Sequence, residues 1–224
     1  MSASSNSLPM IYFIEGNVGS GKSTFLKNIQ DLDFMGFSDA QFLQEPVDQW
    51  KNTKDSNGIN VLEHFYNDMQ KFCYSFQSFA FITRIMQLDS IDSQKTHVFI
   101  ERSVFCDRNV FASAAKDSGI LSEIDWIIYN TWFTTMTEKY SSIFDNARYI
   151  YLKCSPQTSM ERIVQRSRSE ENTISIEYLT ALHQKHEEWL VNDTYITNTI
   201  IIDAEKNLTD LDELALAVKQ IPFN

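Results

Sequence analysis

MIYFIEGNVGSGKST, residues 10–24, joins a short apolar run to a glycine-rich turn and then to the start of a helical pattern. Within it GNVGSGKS (residues 16–23) is a complete G-x-x-x-x-G-K-[ST] match directly after a strand, the context in which this spacing cradles phosphate. Small residues let the backbone N–H groups of Gly16, Asn17, Val18, Gly19, Ser20 and Gly21 wrap phosphoryl oxygens, and the helix opening at Lys22 aims its partial positive charge at them. Lys22 supplies a point charge for the β- and γ-phosphates, and the Ser23 hydroxyl, followed by Thr24, can ligate Mg²⁺. The bland alternative is a turn that binds nothing. The motif asks for ATP or another nucleoside triphosphate, but alone it does not separate a hydrolase, a kinase and a motor.

Outward from this turn, four more short apolar runs read as strands at residues 41–45, 97–102, 149–154 and 199–204. Their continuous apolar character predicts burial on both faces. Helical patterns begin near Lys22, Asn60, Phe72, Val104, Ser122, Pro156, Ser175 and Leu208, and Ser155 with Pro156 makes an N-cap and first-turn pair. Strands alternating with helices predict an α/β fold: a parallel sheet with right-handed crossovers and helices on both faces. Ligands of such sheets bind beyond the carboxyl ends of the strands, here after Gly16, Glu45, Arg102 and Asp203.

The 224 residues suit one elaborated domain over 10–224 after a flexible tail, residues 1–9. With 43% hydrophobic and 22% charged residues and only 6 Gly and 4 Pro, the chain is neither fibrous nor disordered. It has no apolar run of about 18 residues and no basic or apolar leader, so a membrane partner is not expected. The net charge of −11 argues against nucleic acid and makes any local cluster of arginines informative. Three distant cysteines without a CxxC pair fit buried thiols in a reducing compartment, and the cytoplasm is the default location, with an organelle left open. The His183/His186 pair at i,i+3 reads as surface or core.

Four further clusters bear on the acceptor. Glu45 closes the second strand in QEPVDQW and could take a proton from an attacking hydroxyl, or be an exposed strand-end carboxylate. Glu101 and Arg102 close the third; an acid there resembles a Mg²⁺ holder beside a phosphate loop, with Arg102 on a phosphate or the acceptor oxygen, or else the two form a simple ion pair. Gln77, Ala80 and Arg84 share a helical face among aromatics, suiting either a planar base or an ordinary polar face. Arg162, Arg166 and Arg168 crowd into seven residues of an acidic chain, as a lid over phosphate or as a solvated face paired with Glu170 and Glu171.

Taken in order, GNVGSGKST, EPVDQW, FQSFAFITR, ERSVFCDRNVFA and RSRSEEN followed by EYLTALHQKHEEWL resemble the deoxynucleoside kinase family from residue 10 to the C-terminus. The resemblance implies a five-stranded parallel sheet and a homodimer packed through helices. It makes Glu45 the base at the sugar 5′-hydroxyl, Arg102 its phosphate-side partner, Ser23 and Glu101 the Mg²⁺ holders, and Arg162, Arg166 and Arg168 the lid. Tyr66 and Glu171 would hold the 3′-hydroxyl. Gln77, Arg84 and Asp107 would read the base between Phe76 and Phe111, with Val47, Trp50 and Leu62 lining the pocket. Asp203, Glu205 and Asn207 would border the donor adenine.

Because Arg84 only donates and ionised Asp107 only accepts, an exocyclic amine on the base is favoured. With Ala80 this set is similar to the branch using deoxycytidine and purine deoxynucleosides, with thymidine poor. The nearest rivals are a nucleoside monophosphate kinase, whose acceptor phosphate Glu45 would repel, and an inactive structural subunit, which should have lost Lys22, Glu45 or the lid arginines.

Overall fold

The computed structural model describes residues 8–31, 39–145, 147–194, 196–206 and 209–221. Residues 1–7 of the expected tail and Asn207 lie outside this range. Five strands, β1 Met10–Glu15, β2 Ala40–Leu43, β3 His97–Glu101, β4 Ala147–Lys153 and β5 Thr199–Asp203, form one all-parallel sheet in the order β2-β3-β1-β4-β5. The α/β expectation with five parallel strands therefore holds.

Alternate residues of each central strand feed two separate apolar layers. Ile11, Phe13, Val98, Ile100, Tyr149 and Tyr151 face one layer. It is closed by α4 (Met69–Leu88), α7 (Glu123–Lys139) and α10 (Ile176–Glu187). Tyr12, Ile14, Phe99, Ile150 and Leu152 face the other, under α1 (Lys22–Asp31) and α11 (Leu211–Val218). Burying such side chains stabilises the fold by about 1.5–3 kcal/mol each. In the second layer Tyr12, Phe99 and Phe42 stack across β1, β3 and β2 with ring centroids 4.9 and 5.2 Å apart.

Burial on both faces holds for β1, β3 and β4 but not for the edge strands: β2 is half-buried throughout and Ile201 of β5 is exposed. β2 also stops at Leu43, so Glu45 does not close that strand but sits two residues beyond it. There Pro46 caps a short helix, α2 (Val47–Asn52), that the sequence pattern does not announce. A second unannounced helix, α8, covers Ser141–Asp145. The helix expected from Phe72 begins earlier, at Met69, because the Asp68 side chain accepts the Lys71 N–H and nucleates the turn. Asn60 caps α3 (Val61–Asn67) through the Glu63 N–H, and Ser155 caps α9 (Pro156–Arg166) through the Thr158 N–H, as their sequence signals ask. After β3 comes α5 (Val104–Cys106), a π-helical turn (Asp107–Ala112) and α6 (Ser113–Asp117). Such wide turns recur at functional sites, and this one carries Asp107 and Phe111.

Candidate active site

The glycines of the phosphate loop are required by geometry. Gly16 has φ +147° and a side chain there would meet the Leu152 carbonyl at 2.8 Å; Gly19 has φ +80° and packs on the Ser159 carbonyl of α9. Asn17 fixes the loop, accepting from the Val18 N–H and donating to the Leu179 carbonyl of α10, both at 2.9 Å. Lys22 Nζ donates to the carbonyls of Gly16 (3.0 Å) and Asn17 (2.7 Å). Burial, and then the Arg102 guanidinium, push its pKa down to about 8. Ser20 Oγ is buried beside Gly16 without a hydrogen-bond partner. Ser23 Oγ donates to Glu101 Oε1 at 2.8 Å, so the two expected Mg²⁺ holders are adjacent.

Beyond the strand ends lies a buried chain of alternating charge. Arg84 Nε donates to both oxygens of Asp107 (3.0 and 2.9 Å), and its Nη2 donates to Glu45 Oε1 at 2.5 Å. The same Glu45 oxygen accepts from Arg102 Nε at 3.1 Å. Burial alone would raise the Glu45 pKa, but Arg84, Arg102 and Lys22 outweigh it and hold the carboxyl well below the usual range. Asp107 goes the other way: burial exceeds the help from Arg84 and Arg102, and its pKa is pushed up to about 6. β3 stops at Glu101, and Arg102, the residue after it, turns into the left-handed region, φ 69°, a conformation that costs a non-glycine residue about 1–3 kcal/mol. Its N–H stays bonded to the Ile14 carbonyl, and the bend aims the guanidinium across the sheet edge at Glu45.

Around these charges is a cavity of about 610 Å³. One end is aromatic: Phe76 stacks on Phe65 with centroids 4.5 Å apart and meets Trp50 edge-on at 5.3 Å. Trp50 is pinned by a 3.0 Å bond to Thr83 Oγ1, with Arg84 over its ring, while Arg102 lies over Phe111 at 4.8 Å. Val47, Leu62, Gln77 and Ala80 complete this end. Tyr66 and Glu171 sit at the rim, and burial, then the Glu171 charge, hold the Tyr66 phenol protonated. Across the mouth, α9 ends at Arg166 on Ser167, itself left-handed at φ 49°. Arg166 grips both Glu171 oxygens at 2.7 Å, and Arg162 bonds the carbonyls of Ser20 and Lys206 at 3.3 Å.

Comparison with known proteins shows the family. Residues 12–220 match the family model for deoxynucleoside kinase. The chain is 40% identical over 178 residues to the probable deoxycytidine kinase of Fowlpox virus (strain NVSL), covering 79% of this chain and 70% of that protein. It is 36% identical over 203 residues to the deoxycytidine kinase of Homo sapiens (83% and 76% covered), and 32% over 197 residues to the mitochondrial deoxyguanosine kinase of Xenopus laevis (81% and 73%). The chain belongs to the deoxynucleoside kinase family. It is thus an enzyme of ATP-dependent phosphoryl transfer to deoxynucleosides.

In this deoxynucleoside kinase the cavity gathers Val18 to Thr24 of the phosphate loop, the arginines 162, 166 and 168 expected to form a lid, and every residue expected at the nucleoside. Gly16 and Asn17 stand behind its wall. Asp203 and Glu205 do not face it. They line a separate depression with Lys153 and His183, and the Glu205 carboxylate is spent on the Ser155 N–H and Thr158 hydroxyl at the start of α9.

Three residues escape the sequence reading. Glu15 is fully buried, its Oε1 accepting the Ser103 N–H at 2.9 Å and its pKa raised by burial; a carboxylate ending an apolar strand was the available signal. Lys51 lines the cavity and pairs with Glu170 at 3.1 Å, joining α2 to the segment after the lid. Cys106 contacts the Arg102 guanidinium one helical turn on, a pair whose residue types do not single it out.

Proposed function

We propose that Glu45 and Arg102 act on the 5′-hydroxyl of a deoxynucleoside while Lys22 and the lid arginines neutralise the phosphates of ATP. The observation that carries this reading is the convergence of the Glu45 carboxylate, the Arg102 guanidinium, the Ser23–Glu101 pair and the P-loop on one cavity with an aromatic end. Glu45 is ionised at any working pH. It therefore accepts the hydroxyl hydrogen bond from the outset and takes the proton late, once bonding to phosphorus has made the nucleophile acidic. Lys22, Arg162, Arg166 and Arg168 contribute positioning and charge, the bulk of catalysis in phosphoryl transfer.

The orphaned Ser20 hydroxyl and the N–H cradle fit a triphosphate, and Ser23 with Glu101 offers the hard oxygen donors that Mg²⁺ takes. No cluster of three or more His, Cys, Asp or Glu stands among the described residues, which suits an ion held by one carboxylate, a hydroxyl, water and substrate phosphates. When bound there it would offset charge on the phosphoryl oxygens.

At the other end, Gln77, Arg84 and Asp107 would read the base between Phe76 and Phe111, and Tyr66 with Glu171 would hold the 3′-hydroxyl. The ion pair of Arg84 with Asp107 supports a preference for bases bearing an amine, deoxycytidine and purine deoxynucleosides over thymidine. The names of the relatives agree with it.

A homodimer is supported by an exposed apolar stripe, Ile124, Ile127, Ile128 and Trp132 on α7 with Ile82 and Met86 on the adjoining α4. Three free, buried thiols support a reducing compartment, the cytoplasm. Among the described residues no helix is long and apolar enough to cross a membrane.

A coupled assay with ATP and each deoxynucleoside, and in parallel with each monophosphate, tests the reading. Turnover of deoxycytidine or a purine deoxynucleoside supports it. Turnover of monophosphates alone, or of thymidine above the others, refutes it.

A further inference from the structure

Arg102 is held from behind as well as from the front. Its Nη1 donates to the Gly16 carbonyl at 3.1 Å and, at the same distance, to Cys106 Sγ one helical turn on. The thiol in turn lies 3.6 Å from Nε2 of His186, which α10 delivers into the core with no solvent exposure. The other ring nitrogen, Nδ1, meets the Leu182 carbonyl at 2.7 Å.

A carbonyl only accepts, so Nδ1 carries the proton and Nε2 is left with its lone pair. Nε2 then receives the S–H hydrogen of Cys106, and the sulfur lone pairs turn to Arg102. Every member of the row has one polarity: guanidinium N–H to sulfur, S–H to imidazole, imidazole N–H to carbonyl. Tyr151 braces the far end, its ring parallel to His186 at 5.7 Å and its hydroxyl on Glu187 at 2.9 Å.

We propose that Cys106 and His186 are positioning residues for the phosphoryl transfer: a one-way row of hydrogen bonds that sets the angle at which the Arg102 guanidinium addresses Glu45. Arg102 pays for its left-handed backbone at this spot, and a planar guanidinium on a long stem needs more than one contact to keep its plane. The Gly16 carbonyl and the Phe111 face hold the same guanidinium, and the sulfur adds a second acceptor on Nη1 that fixes the direction of its N–H groups. Neither residue touches substrate, and the inference rests on the role given to Arg102 above.

Two substitutions at position 106 pull in opposite directions. Cys106→Ser keeps an acceptor for Arg102 and a donor for His186 but is polar in the core. Cys106→Val keeps the apolar volume and ends the row. If the row positions Arg102, Ser holds kcat within about threefold and Val loses about tenfold, while the nucleoside Kd read from tryptophan fluorescence stays within twofold in both. A packing role gives the reverse order, Val above Ser, and would overturn the proposal, as would equal kcat in the two.

Should Cys106→Val not fold, Cys106→Ala takes its place in the comparison. His186→Leu supplies a second measurement: combined with the position-106 variant it should cost no more than the worse single change, and independent, multiplying losses would overturn the row. Arg102→Gln separates this inference from the reading beneath it. Full kcat there refutes the role of Arg102 and the row with it; loss there beside an unaffected Cys106→Val refutes the row alone.

Discussion

Glu45→Gln removes one charge and almost no volume from the centre of the site. The carboxylate is the meeting point of two buried guanidiniums, from Arg84 and Arg102, at 2.5 and 3.1 Å. Removing one partner of a buried pair costs about 3–5 kcal/mol. Arg84 keeps Asp107 here, and the Glu45 side chain is 16% exposed, so only Arg102 is left short of an anion and about 1–3 kcal/mol is the reasonable loss. For a chain of this length that lowers Tm by roughly 3–10 °C, leaving the enzyme folded at 25 °C. Turnover should suffer far more: losing proton acceptance costs about 10²–10⁴-fold in kcat. Arg84 loses one contact but keeps both of its bonds to Asp107, so the nucleoside Kd, read by tryptophan fluorescence, should change far less than kcat. The assays are a coupled spectrophotometric kcat at saturating ATP and deoxycytidine, the fluorescence titration and a thermal melt. A kcat within about threefold of the parent, in a variant with the expected melt, would remove Glu45 from the chemistry.

Other expectations are briefer. The Lys22 ammonium, with its pKa near 8, is lost as pH rises through that value, so kcat/KM for ATP should fall above about pH 8 with unit slope; a flat profile to about pH 9.5 would contradict it. Asp107 gains a proton below about pH 6 and becomes a donor there, so the ratio of kcat/KM for deoxycytidine over thymidine should shrink as pH drops from 7 to 5. Removing both members of the pair, Arg84→Met with Asp107→Ala, should move preference towards thymidine, and an unchanged ranking of substrates would sink the base-reading assignment. Ile127→Glu plants a charge in the exposed stripe of α7 and should shift the species seen in sedimentation from dimer to monomer, with a Tm that no longer rises with protein concentration.

Much of this was legible before any coordinates. The P-loop announces itself because phosphate binding needs small residues, a strand before and a helix after, all of them local. Central strands are legible because burial on both faces demands unbroken apolar runs, as in YFI and VFI. QFLQE reads as a strand to Glu45, but the edge strand ends at Leu43, because the run continues where hydrogen bonding to β3 has already ceased. The helix after Pro46 was invisible: six residues hold too little periodicity to read.

The site residues are expected mainly from family likeness, and what that likeness does not carry is contact at a distance in sequence. Arg84 bridging Asp107 and Glu45, or Cys106 meeting His186 eighty positions away, depends on packing that spacing does not encode. Glu205 illustrates the converse, a residue in the expected loop whose carboxylate is occupied by a helix start.

One guanidinium, that of Arg84, touches both Asp107, the acid proposed to read the base, and Glu45, the acid proposed at the reacting oxygen. An analogue whose ring edge draws Arg84 aside would disturb the second acid as well. Discrimination among nucleosides should then show in how fast a bound one is converted, besides how tightly it is held. Nucleosides altered on the ring edge would saturate the enzyme and still turn over slowly.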